Sequence, residues 1–125
     1  MSCFKLKKCM KCGALVETIK DCTCENCGVQ CCGEPMVELK ENSVECSIEK
    51  HLPVYEIEAN YIVVTVNHVM EGDHFIEFIA FENNGVVGKK YFKPGNEIKA
   101  VFPYVKGSKI FAYCNKHGLW SKVVE

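Results

Sequence analysis

The sequence predicts a mainly β protein, with a small cysteine module at the N-terminus followed by an antiparallel β-sandwich. Two observations carry that prediction. Eight of the ten cysteines fall within residues 1–32, and only Cys46 and Cys114 lie beyond. From about residue 38 onward the chain becomes a succession of short β-branched and aromatic runs separated by turn-forming residues, with no helical periodicity sustained past one turn. The composition change places the boundary near residue 37, giving a module at 1–37 and a sandwich at 38–125.

The first segment is too short to build a hydrophobic core of its own, so a metal must supply its folding energy. Cys9-Met-Lys-Cys12-Gly13 is a metal knuckle, in which a tight turn aims two thiolates at one ion and the glycine tolerates positive φ. By spacing, its partner is Cys24-Glu-Asn-Cys27-Gly28, since two CxxCG knuckles make a rubredoxin or zinc-ribbon site. Cys3 and Cys46 fit no such pairing and read as structural or free thiols, while Cys22, like Cys24 and Cys27 if they are not ligands, reads as a reactive surface thiol or an adventitious zinc ligand.

In the second segment, a strand near Val54 to Glu58 is followed by YIVVTVN (Tyr61 to Asn67) and, after EGD, by HFIEFIAFE (His74 to Glu82). NNG at Asn83 to Gly85 marks a hairpin turn, and VVGKKYF is its return strand. KPGN turns the chain into EIKAVFPYV, and KGS turns it into KIFAYC (Lys109 to Cys114), which leads to LWSKVVE. Strands at this spacing argue for an antiparallel sandwich of about seven strands.

Composition narrows the function. The formal net charge is -1 and all fifteen basic residues are lysine. No global field draws the chain to nucleic acid or an anionic surface, and the arginine fork that reads guanine or grips phosphate is missing. The longest apolar stretch, Tyr61 to Val66, is far short of the roughly 18 to 20 residues that span a bilayer. MSCFKLKKCMKC has no apolar export region, so a cytoplasmic location is expected, where CxxC pairs are metal ligands rather than disulfides.

All four histidines, His51, His68, His74 and His117, lie in the second segment near strand ends or turns. Cys114 and His117 form a C-x2-H pair whose turn lets both side chains face one point, and His68 and His74 flank a turn of their own. A loop histidine by itself is usually solvated, and a strand-end cysteine is usually a small buried hydrophobe. Four histidines near turns beside the one late cysteine point instead to a shared metal site. A blue-copper site also uses a Cys-x-x-His turn, but it needs two histidines and a later axial methionine, and no methionine follows Met70.

EKHLP (Glu49 to Pro53), HVMEGDH (His68 to His74) and CNKHG (Cys114 to Gly118), preceded by CxxCG and CCGEPM, closely resemble the desulfoferrodoxin family of superoxide reductases. The resemblance covers almost the whole chain. It implies a desulforedoxin-like Fe(Cys)4 module followed by a seven-stranded immunoglobulin-like sandwich carrying Fe(His)4Cys, two irons per chain. By that resemblance His51, His68, His74 and His117 are equatorial ligands and Cys114 is the axial thiolate. Lys50 attracts superoxide and stabilises developing peroxide charge, and Glu49 takes the sixth position in the oxidised resting state. The resemblance selects Cys31 and Cys32 to complete the site begun by Cys9 and Cys12, in place of the spacing-derived pair Cys24 and Cys27. The loop before the CC pair departs from the family pattern by its extra cysteines. The implied reaction is one-electron reduction of superoxide to hydrogen peroxide in a homodimer fed by a small redox donor such as rubredoxin. The competing class is a non-catalytic iron electron carrier or a zinc-ribbon-type module.

Overall fold

The computed structural model of the protein describes residues 4–25, 28–43 and 51–125. The chain divides into two compact units, residues 1–40 and 41–125.

The first unit holds β1 (Leu6–Lys8), β2 (Leu15–Glu17), β3 (Gln30–Cys31), β4 (Glu34–Pro35) and β5 (Val37–Glu38). These short strands carried no recognisable sequence pattern. β2, β1 and β5 form one antiparallel sheet in that order, and β3 pairs with β4 as a separate hairpin. Its buried hydrophobic residues among those described are only Phe4, Leu6, Cys9 and Met36. Four such side chains contribute about 1.5–3 kcal/mol each, far less than the cost of ordering the backbone of some forty residues at about 1–2 kcal/mol apiece. Additional cross-linking is therefore required, and the clustered thiols are placed to supply it.

The second unit contains β6 (Val54–Glu58), β7 (Tyr61–Thr65), β8 (Ile76–Asn83), β9 (Val86–Tyr91), β10 (Lys99–Pro103), β11 (Lys109–Cys114) and β12 (Gly118–Val123). β10, β7 and β6 form a three-stranded sheet, and β12, β11, β8 and β9 a four-stranded one, both antiparallel. The result is a seven-stranded immunoglobulin-like sandwich. Asn84 and Gly85 both have positive φ, 47° and 84°. This is the two-residue hairpin geometry whose twist matches the flanking strands.

Between the sheets, Ile62, Val64, Ala100 and Phe102 meet Ile79, Phe81, Ile110 and Ala112 in one core. β8 is buried along nearly its whole length. That explains why its sequence reads as an almost unbroken apolar run rather than a strict alternation. The ladder between β8 and β11 shifts register between Tyr113 and Cys114, so that Cys114 lies opposite Ile76. Such irregularities bend a strand end and re-aim its side chains. Here the bend falls at the residue that begins the C-x2-H turn.

Candidate metal centres

The antiparallel connections bring five separated residues to one end of the sandwich. His51 lies just before β6, His68 just after β7, His74 just before β8, Cys114 ends β11, and His117 lies in the turn that opens β12. One ligand atom from each falls within 4.8 Å of every other.

The four imidazoles form a closed square. Ring centroids are 4.8 Å apart for His51 and His68, 4.7 Å for His68 and His74, 5.0 Å for His74 and His117, and 4.7 Å for His117 and His51. Successive rings stand nearly perpendicular, at 72° to 88°. His51 Nε2 and His117 Nδ1 approach to 2.9 Å, and Cys114 Sγ stands 3.4 Å from His68 Nε2 and 3.7 Å from His117 Nδ1. Two nitrogens bound at right angles to one ion, each at about 2.1 Å, lie about 3.0 Å apart, so the nitrogen spacing suits adjacent ligands.

Two further observations show that the ring nitrogens are oriented for a cation. His68 Nδ1 lies 2.6 Å from the Val69 carbonyl oxygen. Donation there fixes the proton on Nδ1 and turns the Nε2 lone pair inward, as in metal-bound histidines generally. His74 Nε2 is buried and has no hydrogen-bond partner among the described residues. A buried polar atom left unpaired costs about 1–3 kcal/mol, and a metal ion would remove that cost. Burial, reinforced by the neighbouring imidazoles, also pushes His68 and His117 below the ordinary histidine value, keeping them neutral and able to ligate.

Cys114 is fully buried on the core side of the square. Beside the square lies an open depression of about 500 Å³, lined by His51, Asn67, His68, Val69, Glu71 and His74. Its lining includes three imidazoles but not the thiol, so solvent reaches the cluster from the histidine side.

In the first unit, ligand sulfurs of Cys9, Cys12, Cys31 and Cys32 form a second group of the same tightness. Cys12 Sγ lies 3.6 Å from Cys31 Sγ, which lies 3.8 Å from Cys32 Sγ. A disulfide is about 2.05 Å long, whereas sulfurs at the corners of a tetrahedron around a metal about 2.3 Å away stand about 3.8 Å apart. The knuckle is built by Gly13 donating to the Cys9 carbonyl at 2.9 Å, with Gly13 at φ 81°. Adjacent Cys31 and Cys32 reach one point because Cys32 adopts φ 53°, followed by Gly33 at φ 77°. That left-handed pair turns the second sulfur back beside the first.

The backbone N–H of Cys12, 3.5 Å from Cys9 Sγ, holds the Cys9 thiol down at about 6. The neighbouring thiols, those of Cys12 first and then Cys9, push Cys31 up to about 12, and crowding by Cys12 also raises Cys32. The Cys9 thiol ionises readily whereas those of Cys31 and Cys32 resist, so their deprotonation requires a bound cation.

Glu49, Lys50, Cys3, Cys27 and Cys46 lie outside the described residues. Cys24 is in a disulfide, so the expectation that it serves as a metal ligand is corrected, its sulfur having no thiolate to offer; Cys22 is an exposed free thiol. Sequence reading did not single out Trp120, although it is the chain's only tryptophan and stands three residues after His117. Nor did it single out Asn115, which sits inside CNKHG.

The desulfoferrodoxin family model matches residues 43–123. The chain is 42% identical over 118 residues to a desulfoferrodoxin of Syntrophotalea carbinolica, covering 91% of each. It is 41% identical over 122 residues to one from Nitratidesulfovibrio vulgaris, covering 94% of each. Its fold is shared with the superoxide reductase of Treponema pallidum, at 21% identity and TM-score 0.68, over 94% of this chain and 98% of that one. A superoxide reductase of Nanoarchaeum equitans matches at 26% identity and TM-score 0.50, over 63% of this chain and 94% of its own. The group of four histidines with one cysteine and the group of four cysteines are consistent with two iron centres per chain. The chain belongs to the desulfoferrodoxin family.

Proposed function

We propose that the protein is a superoxide reductase whose reaction takes place at the centre formed by the four histidines and Cys114. The observation that supports this best is the square of four imidazoles, in which His74 Nε2 is buried without a hydrogen-bond partner among the described residues, with Cys114 Sγ on the core side. These five residues would hold iron, which would supply the one electron that, with two protons, converts superoxide to hydrogen peroxide.

The chain's own residues account for the rest. The depression lined by Asn67, Val69 and Glu71 gives a small anion access from the imidazole side. Cys114, buried on the core side and beyond the reach of water, would hold the iron through a thiolate and lend it electron density. By family resemblance Lys50 would steer and stabilise the anionic substrate, and Glu49 would be a carboxylate ligand of the oxidised iron. The Cys9, Cys12, Cys31 and Cys32 group holds the second iron, which stabilises the first unit. A homodimer, a rubredoxin-like donor and a cytoplasmic setting complete the reading. Among the described residues no helix is long and apolar enough to cross a membrane.

Pulse generation of superoxide over the reduced, iron-loaded protein tests this directly. A second-order reaction yielding hydrogen peroxide and a ferric thiolate absorption that disappears in Cys114→Ala is expected. Zinc as the only metal in protein produced with ample iron would exclude the proposal.

A further inference from the structure

Asn115 lies between Cys114 and His117 and reaches across to the segment that carries His74. Its backbone N–H donates to the Phe75 carbonyl at 3.2 Å. Its side-chain Oδ1 accepts from the Phe75 N–H at 3.0 Å, and its Nδ2 donates to the Asp73 carbonyl at 3.0 Å. These three bonds extend the β8–β11 ladder past its last pair, Cys114 opposite Ile76. One carboxamide therefore grips the backbone on both sides of His74.

The grip matters because of what His74 lacks. Among the described residues its Nε2 has no hydrogen-bond partner that would aim the ring. Among the described residues its own backbone pairs with Glu71 alone, across the same turn, at 3.0 and 3.3 Å. That local pairing does not connect the turn to the strand bearing the thiol. The Lys116–Asp73 ion pair spans the same gap at 3.6 Å, but both side chains are well exposed and such pairs hold geometry weakly.

We propose that Asn115 is a positioning residue for the histidine–cysteine centre, its carboxamide setting where His74 Nε2 sits relative to Cys114 Sγ. The inference rests on those five residues forming a metal centre. Asn115 touches neither ion nor substrate. It acts by tying the turn that carries His74 to the turn that carries Cys114 and His117, so that a shared ion meets both at bonding distance.

Cobalt(II) titration of the metal-free full-length chain, kept reduced and anaerobic, provides the test. Trp120 stacks on His51, so cobalt entering this centre quenches its fluorescence, while filling of the four-thiolate group is followed by its absorption. Asn115→Ala is expected to weaken the quenching affinity by on the order of ten- to a hundredfold, the range for partners that orient metal ligands. Asn115→Asp keeps the acceptor for Phe75 but lacks the donor for Asp73, and should fall between. Lys116→Ala should stay within about twofold of the unaltered chain.

The deciding comparison is made in a His74→Ala background. There Asn115→Ala should add less than about twofold, because its effect passes through the missing ligand. Unaltered affinity in Asn115→Ala, or an equal loss in both backgrounds, overturns the proposal. If Asn115→Ala does not fold, Asn115→Asp carries the same comparison. Failure of the underlying centre reads differently: the unaltered chain then shows no saturable quenching, or His74→Ala leaves it unchanged, and the proposal falls with the centre.

Discussion

Trp120 lies against His51 with ring centroids 5.1 Å apart and planes only 26° from parallel. Its Nε1–H also donates to the His117 carbonyl at 3.1 Å. One buried indole thus supports two neighbouring members of the histidine square, one by stacking and the other through its backbone. Trp120→Phe keeps an aromatic face but loses the donor and leaves the carbonyl without it, at a cost of about 1–3 kcal/mol. Trp120→Ala opens a cavity as well and should cost about 3–5 kcal/mol. Urea unfolding followed by circular dichroism measures both, and equal costs would mean that the stack contributes nothing.

The metal-free sandwich should be more stable at pH 7.5 than at pH 5. Burial holds His68 and His117 below the ordinary histidine value of about 6.5. The unfolded chain therefore binds more protons than the folded one as pH drops past that value. The stability these residues contribute is fully present above about pH 6.5 and is lost as pH falls through their lower folded values. Urea midpoints read by Trp120 fluorescence should decrease on acidification. A midpoint that rises would contradict the burial of these imidazoles.

Substitution in the first unit separates the two possible sulfur pairs. Cys31→Ser should reduce bound iron from two per chain to one and abolish the absorption of the four-thiolate centre. Cys24→Ser should retain both irons, because Cys9, Cys12, Cys31 and Cys32 are the sulfurs that converge. Elemental analysis with the visible spectrum decides the matter. Loss of iron in the Cys24 variant would restore the two-knuckle arrangement.

Two glycines of the β8–β9 hairpin should respond in opposite directions. Gly85 has φ 84°, where any side chain is strained, so Gly85→Ala should cost about 1 kcal/mol. Gly88 lies within β9, and a Cβ there would meet Phe102 at 3.4 Å, an ordinary contact. Gly88→Ala should be neutral or stabilise by up to about 1 kcal/mol, since strand glycine loses more backbone entropy on folding. Thermal unfolding midpoints of the two variants compare them directly.

By itself the sequence determined the local features. The β-branched run at Tyr61–Thr65, the Asn-Gly hairpin, the Cys9–Cys12 knuckle and the Cys114–His117 turn were all legible, because each depends on neighbours a few residues away. The motif resemblance added the ligand set, and it chose Cys31 and Cys32 where spacing alone had chosen Cys24 and Cys27. Tertiary structure alone decided the relations between distant residues. His51 and His117 are 66 residues apart in the chain and 2.9 Å apart at their ring nitrogens. That distance follows from how seven strands pair, not from the preferences of either segment. The backbone of Cys32 and Gly33 turns adjacent sulfurs toward one point, and nothing in CCG spells out that conformation. The role of Asn115 was equally hidden: an asparagine before a lysine reads as an ordinary turn residue until strand pairing brings Asp73 and Phe75 within reach of its amide. Periodicity reports which way a side chain faces, but only the assembled sheets decide what it meets there.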